Sequence, residues 1–168
     1  MNKTIRIGTR GSKLALWQAE HVAKCIAASG YQTEIVPIET RGDKVLDVSI
    51  AKIGSKGVFT EEIEAGLHDG SIDIAVHSAK DLSSEMHDDL DLIAFTEREA
   101  VNDVIVSTNP QLNINSNIRI GTSATRRVAF IKHFYPQAQA VSIRGNLQTR
   151  FNKLQAGEYD ALVLAYAG

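Results

Sequence analysis

The pentapeptide IRIGT occurs twice in this chain of 168 residues, at positions 5–9 and 118–122. A second pattern, LxxGxxDxxV, also occurs twice, at positions 67–76 and 154–163. The two patterns recur in the same order, which is typical of two similar half-structures in tandem. Each half of the fold must therefore begin with the same kind of strand and later form the same kind of helix, glycine stop and strand.

Strand patterns alternate with helix patterns between these repeats. Residues 4–8 predict a strand, and Ser12 can cap a helix that runs to about Ser29 and stops at Gly30. Residues 90–96 are a further strand candidate, and the second half repeats the order of strand and helix. This alternation predicts an α/β fold with mainly parallel sheets.

The same pattern divides the chain into two lobes. We expect a first α/β lobe at 1–97, a connector and hinge at 98–117, and the start of a second α/β lobe at 118–168. Residues 40–57 are rich in Gly and charge and predict a long loop. Long loops in compact domains are commonly functional, so we expect this one to act as a lid over a ligand site.

Basic residues are unevenly distributed along the chain. Residues 1–103 contain 11 Lys and Arg against 18 Asp and Glu, whereas residues 104–157 contain seven Lys and Arg and no acid. Five of these seven are Arg, whose planar guanidinium binds carboxylate or phosphate through two parallel hydrogen bonds. This balance favours a polyanionic partner, with a solvated basic face as the alternative. A nucleic-acid partner would require more stacking aromatics than the 6% present.

Composition disfavours several other classes of protein. No apolar run approaches the ~18 residues of a membrane span, and the first residues lack the apolar core of a secretory signal. A single cysteine, Cys25, excludes an internal disulfide and a cysteine-based metal cluster. No zincin, P-loop or nucleophile-elbow motif occurs. We therefore expect a cytoplasmic protein without a metal or membrane partner.

Ten polar residues lie at or just after predicted strand ends, where open α/β sheets bind ligands and helix N-termini attract anions. They are Arg10, Ser12, Lys80, Asp81, Thr122, Ser123, Arg126, Arg127, Arg144 and Arg150. Asp81 is the one acid among these cations, and it could stabilise a positive charge that develops on a substrate. Spacing alone favours a simpler alternative, in which Asp81 caps a helix or forms an ordinary ion pair. His77 could donate a proton, although a single histidine at a strand end is more often structural.

Seven segments of the chain resemble one family of enzymes. They are IGTRGSKLALWQAE at 7–20, ETRGDK at 39–44, GSKGVFTEEIEAGL at 54–67, DIAVHSAKDL at 73–82, IGTSATRR at 120–127, SIRGNLQTR at 142–150 and GEYDALVLAYAG at 157–168. Together they are similar to the porphobilinogen deaminases, also called hydroxymethylbilane synthases. The motifs follow the family's order and cover essentially the whole chain.

The resemblance implies a transferase of tetrapyrrole and haem biosynthesis. Such enzymes join four porphobilinogen molecules head to tail into linear hydroxymethylbilane and release ammonia at each step. Their first two domains resemble periplasmic binding proteins, which implies two such lobes here, the second of them incomplete. Each pyrrole ring carries an acetate and a propionate, so porphobilinogen and pyrrole oligomers are the implied polyanionic partners. A monomer is expected.

The resemblance also implies roles for individual residues. Asp81 matches the catalytic aspartate of the family's HSxKD motif, which would stabilise the pyrrole nitrogen and the cation left when ammonia departs. Lys56 and Phe59 match the lid loop and its exit. The residues that match binders of cofactor and substrate carboxylates are Arg10, Ser12, Lys80, Thr122, Ser123, Arg126, Arg127, Arg144 and Arg150.

The chain departs from the family's pattern at several points. Ser83 stands where the family commonly has Pro, and Ala124 stands where a serine is frequent. The family's third domain, whose cysteine covalently carries the dipyrromethane cofactor, has no counterpart in this chain, and Cys25 is in the wrong place to replace that cysteine. We therefore expect the chain to be inactive by itself. The alternative function is a stand-alone polycarboxylate-binding module without catalysis.

Overall fold

The computed structural model describes residues 3–44, 58–83 and 86–168. The chain forms two compact units, Met1–Thr96 and Glu97–Gly168. Each unit is built around its own sheet, with helices connecting the parallel strands. Both units therefore have the α/β class that the alternating pattern predicts.

The first unit contains a three-stranded parallel sheet with the strand order β2-β1-β3. Its strands are β1 Ile5–Arg10, β2 Thr33–Ile38 and β3 Ile74–Ala75. Among the described residues of this unit, the helices are α1 Lys13–Ala28, α2 Arg41–Lys44 and α3 Glu61–His68, and a 3-10 turn, Ala79–Asp81, follows β3. Because the strands are parallel, the segments that follow them meet at one edge of the sheet.

The first IRIGT copy forms most of β1 and leads into α1. Ser12 is the N-cap of α1, and its Oγ accepts a hydrogen bond from the N–H of Ala15 at 3.3 Å, so the predicted helix start is confirmed. Gly30 follows the helix end with a φ of 86°, a left-handed conformation that favours glycine. β1 begins one residue later and ends two residues later than predicted, because Thr9 and Arg10 continue the pairing with β2.

The second unit contains a four-stranded sheet with the strand order β4-β7-β5-β6. Its strands are β4 Asp103–Val106, β5 Arg119–Gly121, β6 Gln139–Val141 and β7 Ala161–Ala165, and its helices are α4 Thr125–Phe134 and α5 Leu147–Gln155. β5 is parallel to β6 and β7, whereas β4 is antiparallel to β7. The predicted connector at 98–117 thus contains β4, which is a strand of this sheet.

β7 lies inside the second sheet and is buried on both faces. Ala161 and Val163 belong to the apolar cluster that includes Ile131 of α4. Leu162 and Leu164 belong to the cluster on the other face, which includes Leu154 of α5. This explains why β7 reads as a continuous apolar run, ALVLA, rather than as alternating apolar and polar residues.

The two repeated patterns contact each other in the same way in both units. In the first unit, Asp73 of the LxxGxxDxxV pattern accepts hydrogen bonds from Arg6 of IRIGT, at the backbone N (2.9 Å), Nε (3.0 Å) and Nη2 (3.1 Å). In the second unit, Asp160 accepts from the backbone N of Arg119 at 2.7 Å and from its Nε at 3.4 Å. The repeats therefore join the first strand of each half to a later parallel strand.

Two predictions for the first unit have different outcomes. The strand expected at Leu90–Thr96 is wrong, because no strand forms there and residues 91–100 are exposed. Ile93 and Phe95 are 78% and 74% exposed, so this apolar segment lacks a partner strand within the described ranges. Residues 45–57 of the predicted lid, which include Lys56, lie outside the described residues. The described start of the lid contains α2, Arg41–Lys44. None of the helices described is long and apolar enough to cross a membrane.

Candidate active site

The carboxyl end of β1 places Arg10 against three other side chains of the first unit. Its Nε and Nη2 donate to the two carboxylate oxygens of Asp43, at 3.2 and 2.5 Å. Its Nη1 lies 3.8 Å from Oδ2 of Asp81. The guanidinium carbon lies 4.2 Å from the ring centre of Phe59, within the range of cation–π attraction. These contacts hold Arg10 in one orientation at the edge of the sheet.

Asp81 reaches the same edge because β3 runs parallel to β1 and ends just before the 3-10 turn. The backbone N–H of Asp81 donates to the carbonyl of Ser78 at 2.9 Å and closes that turn. Its carboxylate pairs with Arg10 at 3.8 Å, which is beyond hydrogen-bonding distance. The Asp81 side chain is 26% exposed, so a ligand can reach its oxygens.

Asp43 is a residue of this site that the sequence analysis did not single out. Its Oδ2 also accepts a hydrogen bond at 2.8 Å from the Oγ1 of Thr40, which is fully buried. Burial would raise the pKa of Asp43, but hydrogen bonds from Arg10 and Thr40 outweigh burial, and the pKa is lowered. Asp43 could have been found from its position shortly after the predicted second strand, because the carboxyl ends of neighbouring parallel strands lie at the same edge of a sheet.

Three further residues of the first unit lie near this edge. The Ser12 hydroxyl already has a backbone partner, because it caps α1. Lys80 precedes Asp81 in the chain and is exposed. His77 is half-buried, and burial lowers its pKa although the charges of Glu64 and Asp81 would raise it. At neutral pH the His77 ring is therefore uncharged.

In the second unit, the loops after β5 and β6 are joined through a serine hydroxyl. The Oγ of Ser123 donates to the carbonyl of Ile143 at 2.5 Å, and the N–H of Ile143 donates back to it at 3.0 Å. Thr122 is 2% exposed, and its Oγ1 accepts from the N–H of Ala124 at 3.3 Å. Both hydroxyls therefore shape the loop at the N-terminus of α4.

Arg126 and Arg127, in the first turn of α4, share the carboxylate of Asp103. Arg127 donates to Asp103 through Nε at 3.1 Å and Nη2 at 2.6 Å, and to the carbonyl of Val163 through Nη1 at 3.1 Å. Arg126 lies 3.1 Å from the same carboxylate. The Arg127 side chain is 12% exposed and that of Arg126 is 72% exposed. Arg127 thus connects α4 to β4 and β7, whereas Arg126 extends into solvent.

Asp103 was missed by the sequence analysis because it directly precedes the acid-free stretch and was counted with the acidic part of the chain. Its hydrogen bonds from Arg127, opposed by burial, lower the pKa of this carboxyl.

Arg144 and Arg150 follow β6, and Arg150 lies near other cations and donates to a backbone carbonyl rather than to a carboxylate. The Nε of Arg150 donates to the carbonyl of Gly145 at 2.9 Å. Burial, and then the positive charges of Arg127 and Arg144, lower the pKa of Arg150. Arginine nevertheless remains protonated in proteins, so these neighbouring cations favour an anion near them.

Within the described ranges, no group of three or more His, Cys, Asp or Glu side chains could hold a metal ion. The single cysteine, Cys25, is exposed on α1. It lies about 18 Å along the helix axis from the first residue of α1, at the helical rise of about 1.5 Å per residue. Cys25 is therefore distant from the edge where Arg10 and Asp81 meet.

Comparison with known sequences gives a consistent assignment. Residues 5–168 match the sequence profile of a family described as porphobilinogen deaminase, dipyromethane cofactor binding domain. A curated porphobilinogen deaminase of Cytophaga hutchinsonii is 61% identical over 170 residues, and one of Desulfosudis oleivorans is 56% identical over 167 residues. These alignments cover 100% and 98% of this chain, and 54% of each relative. The chain thus spans about half the length of these relatives.

Comparison with solved structures concerns the fold alone, because the sequence identities are low. The periplasmic VFT2 domain of BvgS from Bordetella pertussis aligns with a TM-score of 0.52 at 17% identity, covering 97% of this chain and 66% of that one. An ancestral cationic amino acid solute binding protein aligns with a TM-score of 0.51 at 17% identity, covering 96% and 69%. The expected periplasmic-binding-protein-like α/β class is confirmed. On the strength of the sequence matches, the chain belongs to the porphobilinogen deaminase family.

Proposed function

We propose that this chain supplies the substrate-binding and catalytic residues of a porphobilinogen deaminase. That transferase joins four porphobilinogen molecules into hydroxymethylbilane and releases ammonia at each step. The observation that carries the proposal is the position of Asp81, 3.8 Å from Arg10 at the carboxyl edge of a parallel sheet. A carboxylate beside a cation suits a substrate that has both an N–H group and carboxylates.

Asp81 is the proposed catalytic residue. Its accessible carboxylate can accept a hydrogen bond from a pyrrole N–H, and positive charge develops on the ring when ammonia departs. A fixed carboxylate stabilises that charge in the transition state more than in the ground state, which lowers the barrier.

The proposed binders of substrate carboxylates are divided between the two units. In the first unit, Arg10 and Lys80 supply positive charge, and Ser12 lies at the N-terminus of α1, where free N–H groups attract anions. Phe59 orients Arg10 from its ring face, and Lys56 belongs to the proposed lid. In the second unit, the proposed binders are Thr122, Ser123, Arg126, Arg127, Arg144 and Arg150.

The arginines of the second unit also fit the dipyrromethane cofactor. Burial, and then the positive charges of Arg127 and Arg144, lower the pKa of Arg150. The cofactor carries several carboxylates, and a carboxylate bound beside Arg150 would offset the repulsion among these arginines. Arg126, Arg144 and Arg150 would hold it. When bound, dipyrromethane would supply the pyrrole terminus to which substrate is joined. The residues of this chain would bind its carboxylates and keep them neutralised.

Porphobilinogen and pyrrole oligomers are the proposed partners, rather than nucleic acid. Arg10 already binds the carboxylate of Asp43, and Arg126 and Arg127 bind that of Asp103, so the geometry of these arginines accommodates a carboxylate. We also propose that the protein acts as a monomer in the cytoplasm.

The test is porphobilinogen binding and consumption by the protein isolated from its own cells, with Asp81→Asn as the variant. We expect binding within a fewfold of wild type, because the arginines remain, and turnover lower by about 10²–10³-fold, the usual effect of losing a charge-stabilising group. Asp91→Asn, which removes an exposed carboxylate of the same unit, is the matched control.

Equal turnover by Asp81→Asn and wild type would contradict the catalytic role of Asp81. A protein that binds porphobilinogen but releases no ammonia would instead be the polycarboxylate-binding module. A protein that does not bind porphobilinogen would contradict both functions.

A further inference from the structure

We propose that Asp43 is a positioning residue for Arg10: it occupies one edge of the guanidinium, so that the other edge faces Asp81 and a carboxylate of the substrate. The inference rests on the proposed function, since it assigns Arg10 to substrate binding. It adds a residue from the ETRGDK segment whose contact with Arg10 is independent of any ligand.

The guanidinium of Arg10 has two edges that can each bind a carboxylate through two hydrogen bonds. The Nε–Nη2 edge is taken by Asp43, with both carboxylate oxygens engaged at 3.2 and 2.5 Å. Nη1, on the other edge, is the atom that lies 3.8 Å from Asp81. Asp43 thereby determines which edge of Arg10 a ligand meets.

Asp43 is itself held in place by hydrogen bonds with Thr40. Its Oδ2 accepts from the hydroxyl of Thr40 at 2.8 Å, and its backbone N–H donates to the carbonyl of Thr40 at 3.0 Å. Thr40 is completely buried, so this support does not depend on a mobile side chain. The carboxylate of Asp43 therefore has a fixed direction before it contacts Arg10.

Phe59 restricts the motion of Arg10 perpendicular to the plane of its guanidinium. Its ring lies 4.2 Å from the guanidinium carbon and prevents the planar group from moving out of the plane of the Asp43 carboxylate. The ring fits there because position 42 is glycine: a Cβ at Gly42 would lie 2.1 Å from the ring. The segments at 40–43 and 58–60 thus form one support for Arg10.

This support matters for binding because a free arginine side chain has several rotatable bonds. A ligand that must order such a side chain binds more weakly than one that meets it already ordered. We therefore expect the loss of the Asp43 carboxylate to weaken binding by an amount that depends on Arg10 being present.

The chain contains a matched control for this experiment. Arg6 and Asp73 form a pair through the same atoms, Nε with Oδ2 at 3.0 Å and Nη2 with Oδ1 at 3.1 Å. Arg6 lies near the start of β1, whereas Arg10 is its last residue. Asp73→Asn removes an equivalent ion pair at the opposite end of the strand from Asp81.

The first measurement uses the protein without ligand. The exchange of the arginine Nε–H protons with water is followed by NMR in wild type, Asp43→Asn and Asp73→Asn. We expect Asp43→Asn to accelerate exchange at Arg10 by about tenfold or more and to leave Arg6 unchanged, with the reverse in Asp73→Asn. Unchanged exchange at Arg10 in Asp43→Asn would overturn the proposal.

The second measurement is the Kd for porphobilinogen, by calorimetry, in a double-mutant cycle. We expect Asp43→Asn to raise the Kd about tenfold in wild type and less than twofold in an Arg10→Lys background, because lysine lacks the second edge. Asp73→Asn is expected to leave the Kd unchanged. An equal effect of Asp43→Asn in both backgrounds would mean that Asp43 acts without Arg10, and would overturn the proposal.

A conservative variant keeps the test decisive if Asp43→Asn does not fold. Asp43→Glu retains the charge, and we expect slow Nε–H exchange at Arg10 with a Kd less than threefold above wild type. Fast exchange at Arg10 in a folded Asp43→Glu variant would contradict positioning by the carboxylate. If wild type fails to bind porphobilinogen, the proposed function is contradicted, and the ligand-free exchange measurement alone decides the role of Asp43.

Discussion

The arginines that sequence reasoning groups together differ in their surroundings once the chain is folded. Arg10 and Arg127 each bind a carboxylate of their own unit through two hydrogen bonds. Arg150 instead donates to a backbone carbonyl and lies near other positive charges. The first kind is ordered by the protein before any ligand binds, whereas the second kind lies among cations whose repulsion an incoming anion would offset.

Ala124 is the N-cap residue of α4, with φ and ψ of −78° and 120°, and its side chain offers no cap hydrogen bond. A serine hydroxyl at this position can accept from a free N–H of the first turn. We expect Ala124→Ser to raise the free energy of unfolding by about 1 kcal/mol, measured by urea denaturation. Ala124→Val also adds atoms but no acceptor, and a gain of the same size in that variant would contradict a capping effect.

Gly42 is a position where no side chain fits. An added Cβ would lie 2.1, 2.3 and 2.7 Å from three atoms of the Phe59 ring, which is rigid. We expect Gly42→Ala to lower the free energy of unfolding by about 1–3 kcal/mol, in the range of overpacking. The control is Gly11→Ala, where nothing lies within 4 Å of the new Cβ. Equal unfolding midpoints for the two variants would show that the ring moves without cost.

The repeated patterns act as paired elements. In both units, the arginine of the IRIGT strand binds an aspartate that follows a helix and a glycine with positive φ, 72° at Gly70 and 75° at Gly157. The two glycines allow the turn from helix to strand, and the aspartate accepts from the side chain and backbone of the arginine. The same few residues therefore specify the same strand adjacency twice.

The two pairs differ in strength, which can be measured. Asp73 accepts from Lys3 as well as from three atoms of Arg6 and is 19% exposed, whereas Asp160 accepts from two atoms of Arg119 and is 38% exposed. We expect Asp73→Asn to lower the urea midpoint more than Asp160→Asn does, and Asp91→Asn to leave it unchanged. A larger loss in Asp160→Asn would contradict this order.

For the molecule as a whole, the paired carboxylates make stability depend on pH. Hydrogen bonds from Arg6 lower the pKa of Asp73, those from Arg127 lower that of Asp103, and the backbone of Arg119 lowers that of Asp160. A carboxyl whose pKa is lower in the folded chain than in the unfolded chain stabilises the fold at pH values above the unfolded pKa, which is about 3.8 for Asp. This contribution to stability is lost as the pH falls through the folded pKa. Burial lowers the pKa of His77 in the folded chain. The stability of the fold therefore also decreases as the pH falls below the unfolded pKa of His77, about 6.5.

We expect the free energy of unfolding to fall in two stages on acidification, shallowly below about pH 6.5 and steeply below about pH 4. His77→Gln should remove the shallow stage and retain the steep one, because glutamine does not titrate. The measurement is urea denaturation at unit pH intervals from 8 to 3. A shallow stage that persists in His77→Gln would assign it to another group.

Sequence alone was sufficient for the α/β class, for the N-cap of α1 and for the family. Hydrophobic periodicity, the capping residue Ser12 and the long motifs are local properties of the chain, and they do not depend on the strand order. The same local reasoning was wrong at Leu90–Thr96, since an apolar segment becomes a strand only if a neighbouring strand pairs with it.

The partners of the arginines emerge only in the folded chain. Arg10 and Asp43 are 33 residues apart, and Arg127 and Asp103 are 24 apart. Which acid pairs with which base at such separations depends on the strand order and on the direction of each side chain. Neither of these can be read from the spacing of residues along the chain. This is why a predicted set of cations became, on folding, arginines paired with acids of their own unit, namely Arg10, Arg126 and Arg127, and a group around Arg150 that favours an anion.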